Sequence, residues 1–167
     1  MKRWICLLLA ILCLPLWGCQ EEETPLLDPF NGYYRRAELT HGSADSVIAA
    51  LPIEGAGLKG DHLALLNIYL SHRPDPFYAP TFPEGTQLLI MELEYNTADL
   101  LLSSNISELS GLDLTVACVC LTKTVIELTG VDTVIIRARG TTLDGASYIS
   151  MDLSSIYLLD DYEPETT

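Results

Sequence analysis

The side chains that could carry catalysis or bind a metal are few, and they lie far apart along the chain. The three histidines, His41, His62 and His72, fall in no HExxH motif and at no paired ligand spacing. Asp45 and Ser46 are adjacent, but they lie in a predicted loop with no evident catalytic partner. We therefore predict that none of these residues is catalytic.

A pair of glutamates and a set of glycines each have a structural interpretation as well as a functional one. Glu92 and Glu94 are two residues apart on a predicted strand and could form an acid pair, but carboxylates on the solvent face of an antiparallel sheet are far more common. Gly55, Gly57 and Gly60 suit a flexible loop better than a phosphate-binding one. The sequence thus predicts a protein that is not an enzyme and has no metal site and no cofactor.

Cys19 indicates a different chemistry, the covalent attachment of lipid. Residues 2 and 3 are basic, and an apolar run over 5–16 follows them. This run is shorter than the roughly 20 residues of a membrane-spanning helix and has the pattern of a secretory signal. The run ends in Leu16-Trp17-Gly18-Cys19, which resembles the bacterial lipobox. This predicts a signal peptide over 1–18 and a lipidated Cys19, with an ordinary signal peptide cut elsewhere or an uncleaved anchor as the alternatives.

The composition bears on the kind of partner. The 167 residues have a net charge of -14 and a pI near 4.3, which argues against binding to nucleic acid or to anionic lipid headgroups. Hydrophobic residues make up 49% of the chain, enough for a folded domain. We therefore expect a lipid chain to hold the protein on the membrane, with 19–30 as a lipidated acidic tether.

The remaining pattern predicts one α+β domain over 31–159, followed by an acidic tail over 160–167. A first strand over 31–39 precedes a segment, 40–60, with no confident element. The first of the later elements are a helix after the N-cap Asp61, a proline-rich loop over 72–86, and strands over 87–95 and 98–103 joined at Asn96-Thr97. A second helix opens at Ser110, runs to about Thr129 and is stopped by Gly130; a strand over 131–139 and a further strand within 140–153 follow it. The economical arrangement is a single small mixed or antiparallel sheet, in β-α-β-β-α-β order with room for an extra edge hairpin, and with both helices packed on one face.

Cys118 and Cys120 are the two cysteines outside the first 19 residues. They are two apart on a predicted helix, so their side chains point in different directions and a disulfide between them is not expected. The apolar face of that helix predicts Cys118 in the core and Cys120 in a less buried position.

Three stretches together resemble the GerMN domain. They are Phe82-Pro83-Glu84-Gly85-Thr86, then Leu109-Ser110-Gly111-Leu112, then Leu128-Thr129-Gly130-Val131. The resemblance covers about 60–140 and, more loosely, 31–159. The chain has one copy of the pattern and no internal repeat, and its turn at Asn96-Thr97 departs from the Asp-Gly type that the family favours.

The resemblance implies a non-enzymatic lipoprotein on the outer face of the bacterial cytoplasmic membrane. GerMN domains occur in envelope lipoproteins of sporulation and spore germination, so the implied partners are envelope or sporulation-complex proteins. A module that binds a small molecule or a glycan is the alternative from another class, and the oligomeric state stays open.

Two surfaces are candidates for such binding. Tyr33, Tyr34, Arg35 and Arg36 could form a partner surface, since Tyr and Arg are enriched at interface hot spots; otherwise a tyrosine faces the core and the arginines offset nearby acids. Phe77, Tyr78 and Phe82 in the proline-rich loop could line an apolar ligand cavity or fold down to cap the core, and we favour the cap.

Overall fold

The computed structural model describes residues 29–37, 47–55 and 57–156. The predicted signal peptide, Cys19, the tether up to residue 28 and the acidic tail lie outside these residues. The elements are β1 (Pro29–Arg35), β2 (Ile48–Glu54), α1 (His62–Ser71), β3 (Leu88–Glu94), β4 (Thr97–Leu102), a 3₁₀ turn (Ser104–Glu108), α2 (Gly111–Thr129), β5 (Thr133–Ala138) and β6 (Ile149–Asp152).

Local signals set the start of α1 and the end of α2 as predicted. The Asp61 side chain accepts a hydrogen bond from the Ala64 backbone N–H at 3.0 Å, which caps α1. Helix α2 ends where Gly130 adopts a left-handed φ of 76° and donates its N–H to the Ile126 carbonyl at 2.7 Å.

Strands β3 to β6 form one four-stranded sheet in that order. β4 and β5 are parallel and are connected through α2, while the outer pairs are antiparallel. Alternate residues of β4 and β5 are buried and form one core cluster with both helices, among them Ala98, Leu100, Leu102, Val134 and Ile136. The α+β class and the helices on one sheet face are therefore as predicted.

A bulge in β3 interrupts the regular side-chain alternation of the strand. The register shifts between Leu88 and Ile90, so Leu88 is buried, Met91 packs against the core, and Ile90 is 47% exposed on the other face. The turn to β4 is Tyr95-Asn96, one residue earlier than predicted, and Tyr95 has a φ of 52°.

The prediction of a single sheet is incomplete, because β1 and β2 form a second, antiparallel sheet. β2 lies within the segment that we expected to have no element. Pro52 and the surrounding glycines obscure its strand pattern, and pairing with β1 defines it instead.

The second sheet also corrects the prediction for Cys120. The β1–β2 sheet packs along α2, where Tyr34 and Ile53 join the main core and Ile48 and Val119 join Cys120 in a second apolar cluster. Cys120 is therefore fully buried, and α2 is covered on both sides.

Candidate interaction surface

The predicted partner surface lies on β1 and the residue after it, and Tyr34 does not belong to that surface. The Tyr34 side chain is 1% exposed, and its ring packs edge-on against Tyr69 with the ring centroids 5.3 Å apart. Its hydroxyl is hydrogen-bonded to Nδ1 of His72 at 2.9 Å. Tyr34 is a core residue, so its inclusion in the predicted surface was wrong.

Tyr33 points the other way and contacts α2. Its backbone N–H donates to Oγ1 of Thr124 at 3.0 Å, and its hydroxyl donates to Oε2 of Glu127 at 3.0 Å. Nζ of Lys123 lies 4.9 Å from the Tyr33 ring centroid. Partial burial, together with the hydrogen bond and the negative charge of Glu127, raises the pKa of Tyr33 to about 12.

Arg35 continues the same row of contacts along α2. Its guanidinium forms an ion pair with Asp113 in the first turn of α2, while Asn31 at the start of β1 donates to Glu127 near the end of α2. β1 therefore lies antiparallel to α2, and alternate side chains of β1 are engaged inside the molecule. For Arg35 this matches the alternative in which an arginine offsets a nearby acid, while binding to a partner stays a prediction.

Arg36 differs from the other three residues. Its backbone pairs with Tyr78, and its side-chain Nε is buried with no hydrogen-bond partner among the described residues. The adjacent hydrogen bonds, from Ala37 N–H to the Phe77 carbonyl and from Ala79 N–H to the Arg35 carbonyl, hold 77–79 beside β1. The proline-rich loop is thus fixed against the β1–β2 sheet.

The aromatic residues of that loop do not line a common cavity. Phe82 is 6% exposed and packs edge-on against Tyr69, with the ring centroids 5.4 Å apart. Phe77 is 80% exposed, and Tyr78 is half-buried beside β1. The loop caps the core through Phe82 and Tyr78, which is the arrangement that we favoured.

The grooves of the described residues lie elsewhere. A groove of about 600 Å³ separates the end of α1 from 83–88, with Arg73 and Glu84 at its rim. A second, of about 430 Å³, is lined by Phe30, Lys59 and Leu128 among others. Ser71 lines the first groove, but its hydroxyl donates to the Asn67 and Ile68 carbonyls of α1.

In the glycine-rich segment between β2 and α1, Gly55, Gly57 and Gly60 have the spacing of a dinucleotide-binding loop. Such a loop joins a parallel sheet to a helix N-terminus that is free to bind phosphate. Here β2 belongs to an antiparallel pair, and the Asp61 carboxylate already caps α1. The geometry does not fit a phosphate site.

The remaining residues that could carry chemistry are exposed glutamates on a strand and buried thiols in the core. Glu92 and Glu94 are exposed on β3, and Cys118 and Cys120 are free thiols whose pKa values burial raises to about 12. Among the described residues no three His, Cys, Asp or Glu side chains are grouped as a metal site. Within the same ranges, no helix has the length and apolar character needed to cross a membrane.

The sequence did not point to the free edge of β3 or to Asn67 beside it. Asn67 donates from Nδ2 to the Leu88 carbonyl at 3.0 Å and accepts from the Leu88 N–H at 2.9 Å. A polar residue inside the apolar run of α1 is the signal that could have revealed it.

Comparison with known proteins supports the fold. No family model and no curated protein matches the sequence. The tandem GerMN domains of the sporulation protein GerM from Bacillus subtilis match with a TM-score of 0.53 and 18% identity, over 75% of this chain and 43% of that chain. A protein described as a candidate lipoprotein from Clostridium perfringens matches with a TM-score of 0.46 and 15% identity, over 80% and 95% of the two chains.

These results define the class of protein by its fold. The chain has a GerMN-like fold, as the sequence resemblance predicts. It spans less than half the length of the tandem GerMN structure, so the activity of that whole protein does not transfer with the fold.

Proposed function

We propose that this protein is a non-enzymatic lipoprotein of the bacterial envelope whose GerMN-like domain binds and helps to assemble other envelope proteins. The observation that carries the proposal is the fold shared with the GerMN domains of a sporulation protein. By that likeness, the proposed setting is sporulation or spore germination.

The proposed attachment is through lipid on Cys19, at the outer face of the cytoplasmic membrane. Two acyl chains hold a protein stably on a bilayer, whereas one chain gives marginal binding. Pro29 at the start of β1 is ten positions after Cys19, so the chain between them spans at most about 33 Å when extended. The domain would then stand close to the membrane with its surfaces free for other proteins.

Metabolic labelling with an alkyne fatty acid tests the anchor. The full chain should incorporate the label and sediment with membranes, while Cys19→Ala should lose both properties. Cys118→Ala is the matched control and should keep the label, because Cys118 is buried in the folded domain. An unlabelled wild-type chain, or a labelled Cys19→Ala chain, would contradict the proposed anchor.

A test of the setting follows the protein in cells. In a spore-forming host, the proposal expects a tagged chain to accumulate where the mother cell and forespore membranes meet. An even envelope signal throughout growth would agree with an envelope lipoprotein but would contradict the proposed role in sporulation.

A further inference from the structure

The outer edge of β3 is open for pairing. β3 is the first strand of the four-stranded sheet, and no other described strand pairs with its outer side. It is seven residues long, whereas β6 at the opposite edge has four. An unpaired strand of this length presents a row of N–H and C=O groups that another chain can bind.

Asn67 indicates which backbone groups face outward. Because its amide bonds both the N–H and the C=O of Leu88, those two groups point away from β4. At the other end of β3, the two-residue turn makes Glu94 and Thr97 a hydrogen-bonded pair, so the backbone N–H and C=O of Glu94 point toward β4. Because this direction alternates along a strand, the backbone groups of Leu93 and Met91 point outward, away from β4. Asn67 occupies the start of the edge, and Met91 and Leu93 offer the free part.

The side chains along this edge combine apolar surface with negative charge. Ile90 is 47% exposed and Leu93 is 50% exposed. Glu92 and Glu94 are exposed on the face away from the helices, and neither forms an ion pair with another described residue. Glu92 lies opposite Asp99, whose carboxylate is itself paired with Arg137, so the local charge is negative.

A second copy of this chain is a poor occupant of the edge. Antiparallel pairing of Leu93 with Leu93 places Glu92 opposite Glu94, and pairing of Leu93 with Met91 places Glu92 opposite Glu92. Like charges directly opposite each other destabilise a strand pair. Pairing through Met91 brings Glu94 opposite Leu88, where Asn67 already holds the backbone.

We infer that the β3 edge binds an extended segment of another protein, with Lys or Arg at alternate positions and an apolar residue between them. The basic side chains would lie beside Glu92 and Glu94, and the apolar one beside Leu93. The backbone of the segment would pair with Met91 and Leu93. This inference rests on the proposed function and narrows it, because it states the chemistry of one partner.

The test uses the full chain in detergent and a fluorescent peptide of alternating Lys and Val, with an alternating Glu and Val peptide as the control. Binding is measured by fluorescence anisotropy at low and high salt. The basic peptide should bind and weaken with salt, and the acidic peptide should not. Equal binding of the two peptides, or of neither, would overturn the inference.

Two sets of variants locate the binding. Leu93→Pro removes an outward N–H without removing a hydrogen bond to β4, so it should weaken binding by about tenfold, while Leu93→Ala keeps the N–H and should change it far less. The double variant Glu92→Lys with Glu94→Lys should also lose about tenfold through charge alone. If Leu93→Pro does not fold, as judged by circular dichroism, the charge variant decides.

Other outcomes separate the two proposals. A wild-type dimer in sedimentation that Leu93→Pro abolishes would make a second copy the occupant and overturn the inference. If a wild-type chain that is lipidated at Cys19 does not bind the peptide, the proposed edge site is wrong and the proposed anchor stands. If the wild-type chain binds the peptide but carries no lipid, the edge site stands and the proposed anchor is wrong.

Discussion

The side-chain amide of Asn67 replaces a neighbouring strand at Leu88, where it both donates to the carbonyl and accepts from the N–H. The same Nδ2 also contacts the carbonyl of Leu63 at 3.0 Å within α1. The amide therefore joins α1 to the edge of the main sheet and ends the free part of that edge.

Replacing Asn67 with Ala should destabilise the domain by about 1–3 kcal/mol, because two backbone groups of Leu88 lose their partner. Urea unfolding followed by circular dichroism measures the change. Ser71→Ala is a control on the same helix, since its hydroxyl bonds only exposed carbonyls of α1. A loss for Asn67→Ala no larger than for the control would contradict the assigned role.

Gly32 on β1 lies close to the side chains of Ile53 on β2 and Tyr69 on α1. A Cβ placed there would lie 2.4 Å from Cδ1 of Ile53 and 2.7 Å from Cδ2 of Tyr69. Gly32→Ala should therefore lower the free energy of unfolding by about 1–3 kcal/mol through overpacking. Thermal unfolding checks the loss.

Ile53→Val gives this prediction its control, because it removes the Cδ1 atom nearest to the new methyl group. In the Ile53→Val background, Gly32→Ala should be less destabilising than in the wild type. Equal losses in both backgrounds would contradict the predicted clash.

Tyr95 adopts a positive φ of 52° while its side chain is 96% exposed. This conformation costs an L residue about 1–2 kcal/mol, and the exposed ring provides little compensating contact. Tyr95→Gly should therefore raise the midpoint of thermal unfolding, whereas Tyr95→Ala, which keeps a Cβ, should leave it nearly unchanged. A lower midpoint for the glycine variant would show that the ring stabilises the turn.

The buried thiols predict that stability falls at alkaline pH. Burial raises the pKa values of Cys118 and Cys120 from 9.0 to about 12, so above pH 9 the unfolded chain releases thiol protons that the folded chain keeps. The contribution of the buried, protonated thiols to the free energy of unfolding is fully present below pH 9. It is lost between pH 9 and 12, by up to about 1.4 kcal/mol per pH unit for each thiol.

Urea unfolding at a series of pH values from 7 to about 11 measures that slope. A variant with both cysteines replaced by Ala should show a shallower decline, after allowance for its lower stability at pH 7. The same decline in both proteins would assign the pH dependence to other groups, such as the hydroxyl of Tyr33, whose pKa is also raised.

The parts of the fold that could be predicted are those set by local sequence. The N-cap at Asp61 and the left-handed stop at Gly130 marked both helices, and alternation marked β4 and β5. The parts missed depend on contacts between distant residues. β2 is defined by its pairing with β1, and Cys120 is buried because that pair covers α2.

The candidate site was harder to predict for the same reason. Tyr33 and Tyr34 are adjacent, yet one contacts α2 and the other lies in the core, and the local pattern does not say which. The free edge of β3 follows from the strand order, which depends on the crossover through α2.

Fluorescence microscopy of a tagged full chain beside Cys19→Ala, through growth and sporulation, tests the central claim most directly. We predict that the wild-type protein is on the membrane and accumulates between mother cell and forespore, and that Cys19→Ala loses this distribution. A wild-type signal spread through the cytoplasm, or a Cys19→Ala distribution identical to the wild type, would contradict the account of a lipid-anchored envelope module.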